Sequence, residues 1–248
     1  MIKKYTCIFA ALLIMSPFLM AQTLEEVVVT AQIREQSLQD VPISISAISG
    51  EDIADRSVDS LQSLSASVPN FMVVETQIDT SISIRGVRSG ANKGFEQSVP
   101  MNFDGISYPR SQLARTPLVD LERVEVLRGP QPTLFGKNAI GGVVNVTSAK
   151  PTEEFEGKFS TSHESEHGED QSLLVLSGAL SESVLGRLTV STREMDGWIT
   201  NTNMKRLEPQ RDETYIRGQL AWTSGDVDYN LKVETADFDS TGYAMEAI

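Results

Sequence analysis

His163 and His167 stand four residues apart among Glu164, Glu166, Glu169 and Asp170. Imidazole and carboxylate groups at that density can ligate a metal ion. Ligands at i and i+4, however, converge on a helix, and this stretch reads as the end of a strand. A solvated acidic loop is the better reading. Gly136-Lys137-Asn138 has the outline of a phosphate-binding loop. It fails on detail, because Gln131 stands where the first glycine must be and Asn138 where a hydroxyl must hold magnesium. No Gly-x-Ser-x-Gly elbow occurs, so that route to an activated serine is closed. Asn145-Val146-Thr147 matches a glycosylation sequon inside a buried-looking strand and is set aside. With no convergent acid, base, nucleophile and metal set, the chain does not read as an enzyme and calls for no cofactor. The remaining candidates are three arginines, Arg85, Arg123 and Arg128, placed among apolar strand residues.

The totals narrow the setting. The chain has 248 residues, 40% of them hydrophobic, which is enough for one or two cores. Its 34 acidic residues against 21 basic ones argue against a nucleic-acid partner. No apolar run reaches the ~20 residues that a spanning helix needs. The lone Cys7 excludes a disulfide framework and a cysteine zinc site.

The elements that position these residues can be taken in order. Met1–Ala21 has the secretory pattern of Lys3 and Lys4, an apolar run over Cys7–Met15, and a small residue at Ala21. A membrane anchor is disfavoured because the run is short and broken by Pro17. Glu25–Ala31 then carries three consecutive valines next to the expected mature N-terminus, and reads as a short strand. It is either the first strand of a domain or a segment that a partner captures by strand addition. Val41–Ile48 reads as a strand, Asp52–Ser67 as one helix, and Phe71–Glu75 and Ser81–Val87 as further strands. Asp104-Gly105 is a hairpin dipeptide within Val99–Tyr108.

Asp120–Thr147 reads as a unit of strand, turn, glycine-punctuated loop and strand. Val124 and Val126 alternate with Arg123 and Glu125, as in a half-buried strand. Gly129-Pro130 stops it, and Gly136, Gly141 and Gly142 permit positive φ or close backbone contact. Leu38–Lys150 is thus expected to form an α+β domain with a small mixed sheet.

Phe155–Glu234 changes character. Five segments alternate an apolar with a polar face, as a transmembrane barrel wall requires. His163–Asp170 and Met195–Glu213 read as long connections, Ser181–Leu185 and Ser224–Asp226 as short ones. A soluble β-sandwich also alternates and is the bland alternative.

Four pieces, in order and spacing, resemble the N-terminal part of a TonB-dependent outer-membrane receptor. Glu25–Ala31 (Glu25, Glu26, Val27, Val28, Val29, Thr30, Ala31) resembles the TonB box. Ile84-Arg85-Gly86 resembles the isoleucine-arginine-glycine motif of the plug, and Asp104-Gly105 its central hairpin. Leu121–Asn145 resembles the closing plug signature, with Pro132 where the family usually places a small residue. The resemblance implies an α+β plug domain followed by antiparallel strands of an incomplete transmembrane β-barrel. It implies the order 1–21 signal peptide, 22–37 TonB-box segment, 38–150 plug and 151–248 first barrel strands. A plugged barrel closes at about 22 strands, so five read as a truncated wall.

The same resemblance implies active uptake of a scarce ligand, siderophore-like or another small nutrient, across the bacterial outer membrane. The plug would sit in the barrel lumen with the N-terminus in the periplasm. The implied partners are TonB with ExbB and ExbD, outer-membrane lipid and a small extracellular ligand, with a monomeric receptor. A secreted soluble binding or adhesin-like β protein is the rival. Arg85 and Arg128, with Arg123, Gly86, Gly129 and Glu122 or Glu125, are expected to lock the plug to inward-facing wall residues or to brace turns within it. Phe95, Tyr108 and Arg110, on loops expected to face outward, are candidate ligand contacts.

Overall fold

The computed structural model describes residues 28–29, 36–37, 43–75, 80–89, 96–108, 110, 114–166 and 168–242. The expected signal peptide lies outside them. Near the N-terminus, β1 (Val28–Val29) pairs antiparallel with β2 (Gln36–Ser37).

The N-terminal domain is built on a five-stranded sheet of β3 (Ser44–Ser49), β7 (Met101–Phe103), β8 (Ile106–Tyr108), β9 (Leu121–Arg128) and β10 (Gly142–Ser148), in the order β3-β9-β10-β7-β8. It is mixed, because β10 pairs parallel with β7 and antiparallel with β9. β4 (Phe71–Glu75), β5 (Thr80–Ile84) and β6 (Val87–Arg88) form a separate three-stranded sheet. Alternation on β9 and β10 points Val124, Val126, Val144 and Val146 into the main core, against Ile53, Leu61, Leu64, Ile84 and Phe103. Leu127 and Val143 on the opposite face pack with Ile43, Ile45 and Phe135.

The helix expected over Asp52–Ser67 is two helices, α1 (Gly50–Asp55) and α2 (Leu61–Ser65). Ser57 takes a left-handed φ of 52° and ends the first. Ser60 starts the second with a capping box, its hydroxyl accepting from the Ser63 N–H while Ser63 accepts from the Ser60 N–H. The interruption leaves Asp59 outside both helices. Arg85-Gly86 likewise forms a turn between β5 and β6, with Arg85 at φ 51°, where a continuous strand over Ser81–Val87 is expected. Gly142 must be glycine for space, since a Cβ there would lie 2.2 Å from the Leu127 carbonyl oxygen. Pro132 opens α3 (Pro132–Phe135), a position that wants its fixed φ and needs no N–H.

A second five-stranded sheet follows, wholly antiparallel, in the order β11 (Glu156–Glu164), β12 (Glu169–Ser181), β13 (Val184–Met195), β16 (Gln210–Ser224), β17 (Val227–Thr241). It does not close on itself, so β11 and β17 are its edges. The connection after β13 holds a hairpin of β14 (Ile199–Asn201) and β15 (Arg206–Glu208). The other long connection is shorter than expected. His163 and Asp170 face each other inside the β11–β12 ladder, and the strands end at Glu164 and begin again at Glu169.

The two faces of this sheet have opposite chemistry. On the outer face Phe155, Phe159 and Leu180 are 79%, 71% and 68% exposed. Trp222 stacks on Tyr229 there, centroids 5.2 Å apart, beside the β16–β17 turn. Arg217 and Thr189 on the inner face are fully buried. Exposed aromatics outside and buried charge inside reverse the usual arrangement of a water-soluble sheet and match a wall with lipid on one side and a filled lumen on the other.

Candidate functional site

The inner face of the long-stranded sheet meets the N-terminal domain along a polar seam. Its centre is Asp120, the residue just before β9, held at φ 53°. An aspartate tolerates that conformation better than most side chains. Its carboxylate faces three strand residues. Arg187 donates through Nη2 to Oδ1 at 2.5 Å and through Nε to Oδ2 at 2.9 Å. This is the two-point geometry that makes arginine–carboxylate pairs strong. Thr189 donates its hydroxyl to Oδ2 at 2.5 Å, and Arg217 Nη2 lies 2.9 Å from the same oxygen. Arg217 also donates to the Asp120 backbone carbonyl at 2.5 Å. Burial pushes the Asp120 carboxyl up, but the Arg187 and Thr189 hydrogen bonds and the two arginine charges outweigh it and hold it below the usual carboxylate range.

Two further clusters flank this one. Toward the β16–β17 turn, Asp104 at the tip of the β7–β8 hairpin accepts from Lys232 Nζ at 2.8 Å and from the Ser148 N–H and hydroxyl, each at 2.7 Å. Burial raises its carboxyl, and the Lys232 and Ser148 bonds lower it further than burial raises it. Lys232 also lies 4.4 Å from the centre of the Phe103 ring. Tyr108 donates its hydroxyl to Glu234 at 2.8 Å. Burial, then that carboxylate, pushes the phenol up to about 12, so it stays a donor at any physiological pH. Toward the opposite end, Asp59 lies 3.1 Å from Arg193 Nη2 and accepts from Gln171 at 3.1 Å. A cleft of about 1170 Å³ opens beside the Asp104 hairpin, lined by Asp104, Ile106 and Ser148 on one side and Gln219, Asn230 and Lys232 on the other.

The arginines singled out in the sequence sit elsewhere. Arg128 donates to the Ser46 hydroxyl at 2.7 Å and to the Pro69 carbonyl at 3.3 Å, both inside the N-terminal domain. Arg123 pairs with Glu122 and, at 3.0 Å, with Glu125 on its own strand. Arg85 is exposed in its turn, and its N–H donates to the Asn70 carbonyl at 2.8 Å. Gly86 follows it at φ 80°. The Gly129 N–H donates to the Gly141 carbonyl at 3.0 Å. Of the candidate ligand contacts, Tyr108 faces the strands, Arg110 is exposed and Phe95 lies outside the described residues. Glu25, Glu26, Val27, Thr30 and Ala31 also lie outside them. His163 Nδ1 sits 2.8 Å from Asp170 Oδ1, and His167 lies outside the described residues.

The seam thus joins carboxylates of the N-terminal domain to basic groups of the strands. A signal for it was present. Arg187, Arg193, Arg217 and Lys232 all fall on the polar side of their strands by alternation. A basic inner face asks for an acidic partner, and loop aspartates such as Asp59, Asp104 and Asp120 are the groups that supply it.

Residues 37–143 match the TonB-dependent Receptor Plug Domain family. The chain is 36% identical over 185 residues to an iron-regulated outer membrane virulence protein of Vibrio cholerae, covering 68% of this chain and 28% of that protein. It is 35% identical over 139 residues to the vitamin B12 transporter BtuB of Vibrio vulnificus, covering 53% of this chain and 22% of the transporter. The fold matches the ferric yersiniabactin uptake receptor FyuA of Yersinia pestis with a TM-score of 0.69 at 23% identity, over 78% of this chain and 31% of that one. The chain therefore spans less than a third of the length of these relatives. A plug-family N-terminal domain, sealed by charge onto strands whose outer face is apolar, places the chain in the TonB-dependent outer-membrane receptors.

Proposed function

We propose that this chain is the plug and part of the wall of a transporter for active uptake of a scarce ligand across the outer membrane. The domain order is 1–21 leader, 22–37 TonB-box segment, 38–150 plug and 151–248 wall strands. The ligand class that the relatives favour is an iron chelate or a comparably sized nutrient such as a cobalamin, because their names specify iron regulation, ferric yersiniabactin and vitamin B12. Uptake needs no covalent chemistry from the protein. The ligand binds from outside and shifts the plug, and TonB, energised with ExbB and ExbD, adds the segment around Val28–Val29 as a strand and pulls. The complete receptor is a monomer surrounded by lipid.

The observation that carries this reading is the Asp120 cluster. It seats the plug on the inner face of a wall whose outer face is apolar. A secreted soluble protein would have to leave Phe155, Phe159 and Leu180 in water. The test is a crosslink from a cysteine at Val28 to TonB in cells supplied with the ferric chelate or cobalamin. A ligand-dependent crosslink is expected. No crosslink with any supplied ligand overturns the reading.

A further inference from the structure

We infer that Glu234 is a positioning residue that couples the Asp104 and Asp120 anchors, so that each anchor strengthens the other. The inference rests on the uptake reading above only in that uptake requires the plug to move. Glu234 departs from the pattern of the seam. There the wall supplies bases and the plug supplies acids, yet Glu234 is an acid on the inner side of β17. Its carboxylate is shared three ways. Oε1 accepts from the Tyr108 hydroxyl of the plug at 2.8 Å. Oε2 accepts from the Tyr215 hydroxyl at 3.1 Å and lies 3.4 Å from Lys232 Nζ.

Two of these contacts lead to anchors. Lys232 Nζ donates to Asp104 at 2.8 Å. Tyr215 accepts from Arg217 Nη1 at 3.5 Å, and Arg217 Nη2 holds Asp120. The β16–β17 ladder sets Arg217 directly opposite Glu234, so the Tyr215 hydroxyl bridges an opposed charge pair. The result is one chain running Asp104, Lys232, Glu234, Tyr215, Arg217, Asp120. Donor and acceptor roles agree along it. Lys232 and Arg217 only donate, Glu234 only accepts, and Tyr215 accepts at its oxygen and donates its proton. Fixing the rotamers of Lys232, Glu234 and Arg217 costs conformational entropy. With both anchors made, that ordering serves two contacts with the plug. With one lost, it serves only the other. Linked hydrogen bonds also polarise one another, so each link strengthens its neighbours. A disturbance at either anchor is therefore felt at the other through the wall.

The experiment breaks one anchor and reads the other, with and without the link. Asp104→Asn keeps a side chain that accepts the positive φ at that turn. Amide exchange over Asp120–Val124 is then measured in the full chain in detergent micelles. With Glu234 native, exchange there is expected to rise at least about threefold. In a Glu234→Gln background, Asp104→Asn is expected to leave exchange over Asp120–Val124 as that background has it. Tyr215→Phe is the second background. It keeps the ring in its buried site, removes only the bridging hydroxyl, and carries the test if Glu234→Gln does not fold. Unchanged exchange at Asp120 with Glu234 native overturns the inference, since the anchors are then independent. A rise of the same size in a folded Glu234→Gln or Tyr215→Phe background also overturns it. A merely structural Glu234 gives that second pattern. No ligand or TonB enters these measurements, so the crosslink from Val28 decides the uptake reading separately.

Discussion

Asp120 and Arg217 meet twice, once through the carboxylate and once through the Asp120 backbone carbonyl. The plug loop before β9 is therefore fixed to β16 in both position and orientation. Arg217 is fully buried and Asp120 nearly so. Each charge depends on the other, because an unpaired buried charge is far more costly than a paired one.

Asp120→Asn tests that dependence with little change to the backbone, since asparagine also accepts a positive φ. It leaves Arg217 and Arg187 without their shared counter-charge. The expected loss is about 3–5 kcal/mol in the docking of plug on wall. It would be read as a lower unfolding midpoint in detergent micelles and faster amide exchange over Asp120–Ser148. Glu122→Gln, at an exposed pair, is the control and should change stability by about 1 kcal/mol or less.

The pH dependence follows from the same carboxylates. Asp104 and Asp120 are both held below their ordinary range when docked. A lowered folded value means that the stabilisation is fully present above the unfolded value of about 3.9 and is lost as pH falls through the folded value. Docking should be flat from neutral pH down to about 5 and weaken below about 4. Distances between spin labels at Glu122 and Thr192 would follow it. Loosening between pH 6 and 7 would point to a different group.

Arg128→Ala should loosen the plug sheet and leave the seam intact, because its partners are Ser46 on β3 and the Pro69 carbonyl. The expected cost is about 1–3 kcal/mol. Amide exchange should rise in β3 and stay unchanged around Arg187 and Arg217. The reverse pattern would return Arg128 to a role in the plug–wall lock.

Leu231→Arg places a charge on the apolar outer face of β17, opposite Leu220 and two residues from Tyr229. A lipid-facing arginine there should lose about 1–4 kcal/mol, more the nearer it lies to the bilayer midplane. Lys232→Ala, one residue on, should instead weaken the hold on Asp104. Equilibrium unfolding in phospholipid bilayers separates the two effects. An arginine tolerated without cost at position 231 would remove that face from the lipid.

Much of this architecture could be read from alternation and turn chemistry. Val124 and Val126 declared the inward face of β9, and Asp104-Gly105 declared a hairpin, because both signals are local. The break between α1 and α2 was harder to see. It depends on Ser57 taking a left-handed conformation and Ser60 capping anew, against a hydrophobic pattern that continues through both. The seam was legible on one side only. Alternation put Arg187, Arg217 and Lys232 on a polar face. Asp120 stood only as the first residue of a strand–turn–strand unit, and nothing local distinguishes an aspartate at a strand start from a docking one. Arg85 and Arg128 stood out because arginine among apolar strand residues is unusual, but Arg128 finds its partners inside the plug, at Ser46 on β3 and the Pro69 carbonyl, and Arg85 is exposed in a turn.

Strand β3 lies at an edge of the plug sheet, and its six residues pair with β9 alone. It is also the first strand of that sheet in chain order. Removing it breaks no other pairing, leaves β9, β10, β7 and β8 joined, and strips Ile45 and Ala47 from the smaller apolar cluster. Beyond it the chain reaches Gly50, whose Cα is jammed so closely against the Leu121 carbonyl that no Cβ would fit. Loss of β3 would make β9 the new edge of the plug sheet, and β9 begins at the residue next to Asp120, which the wall strands hold.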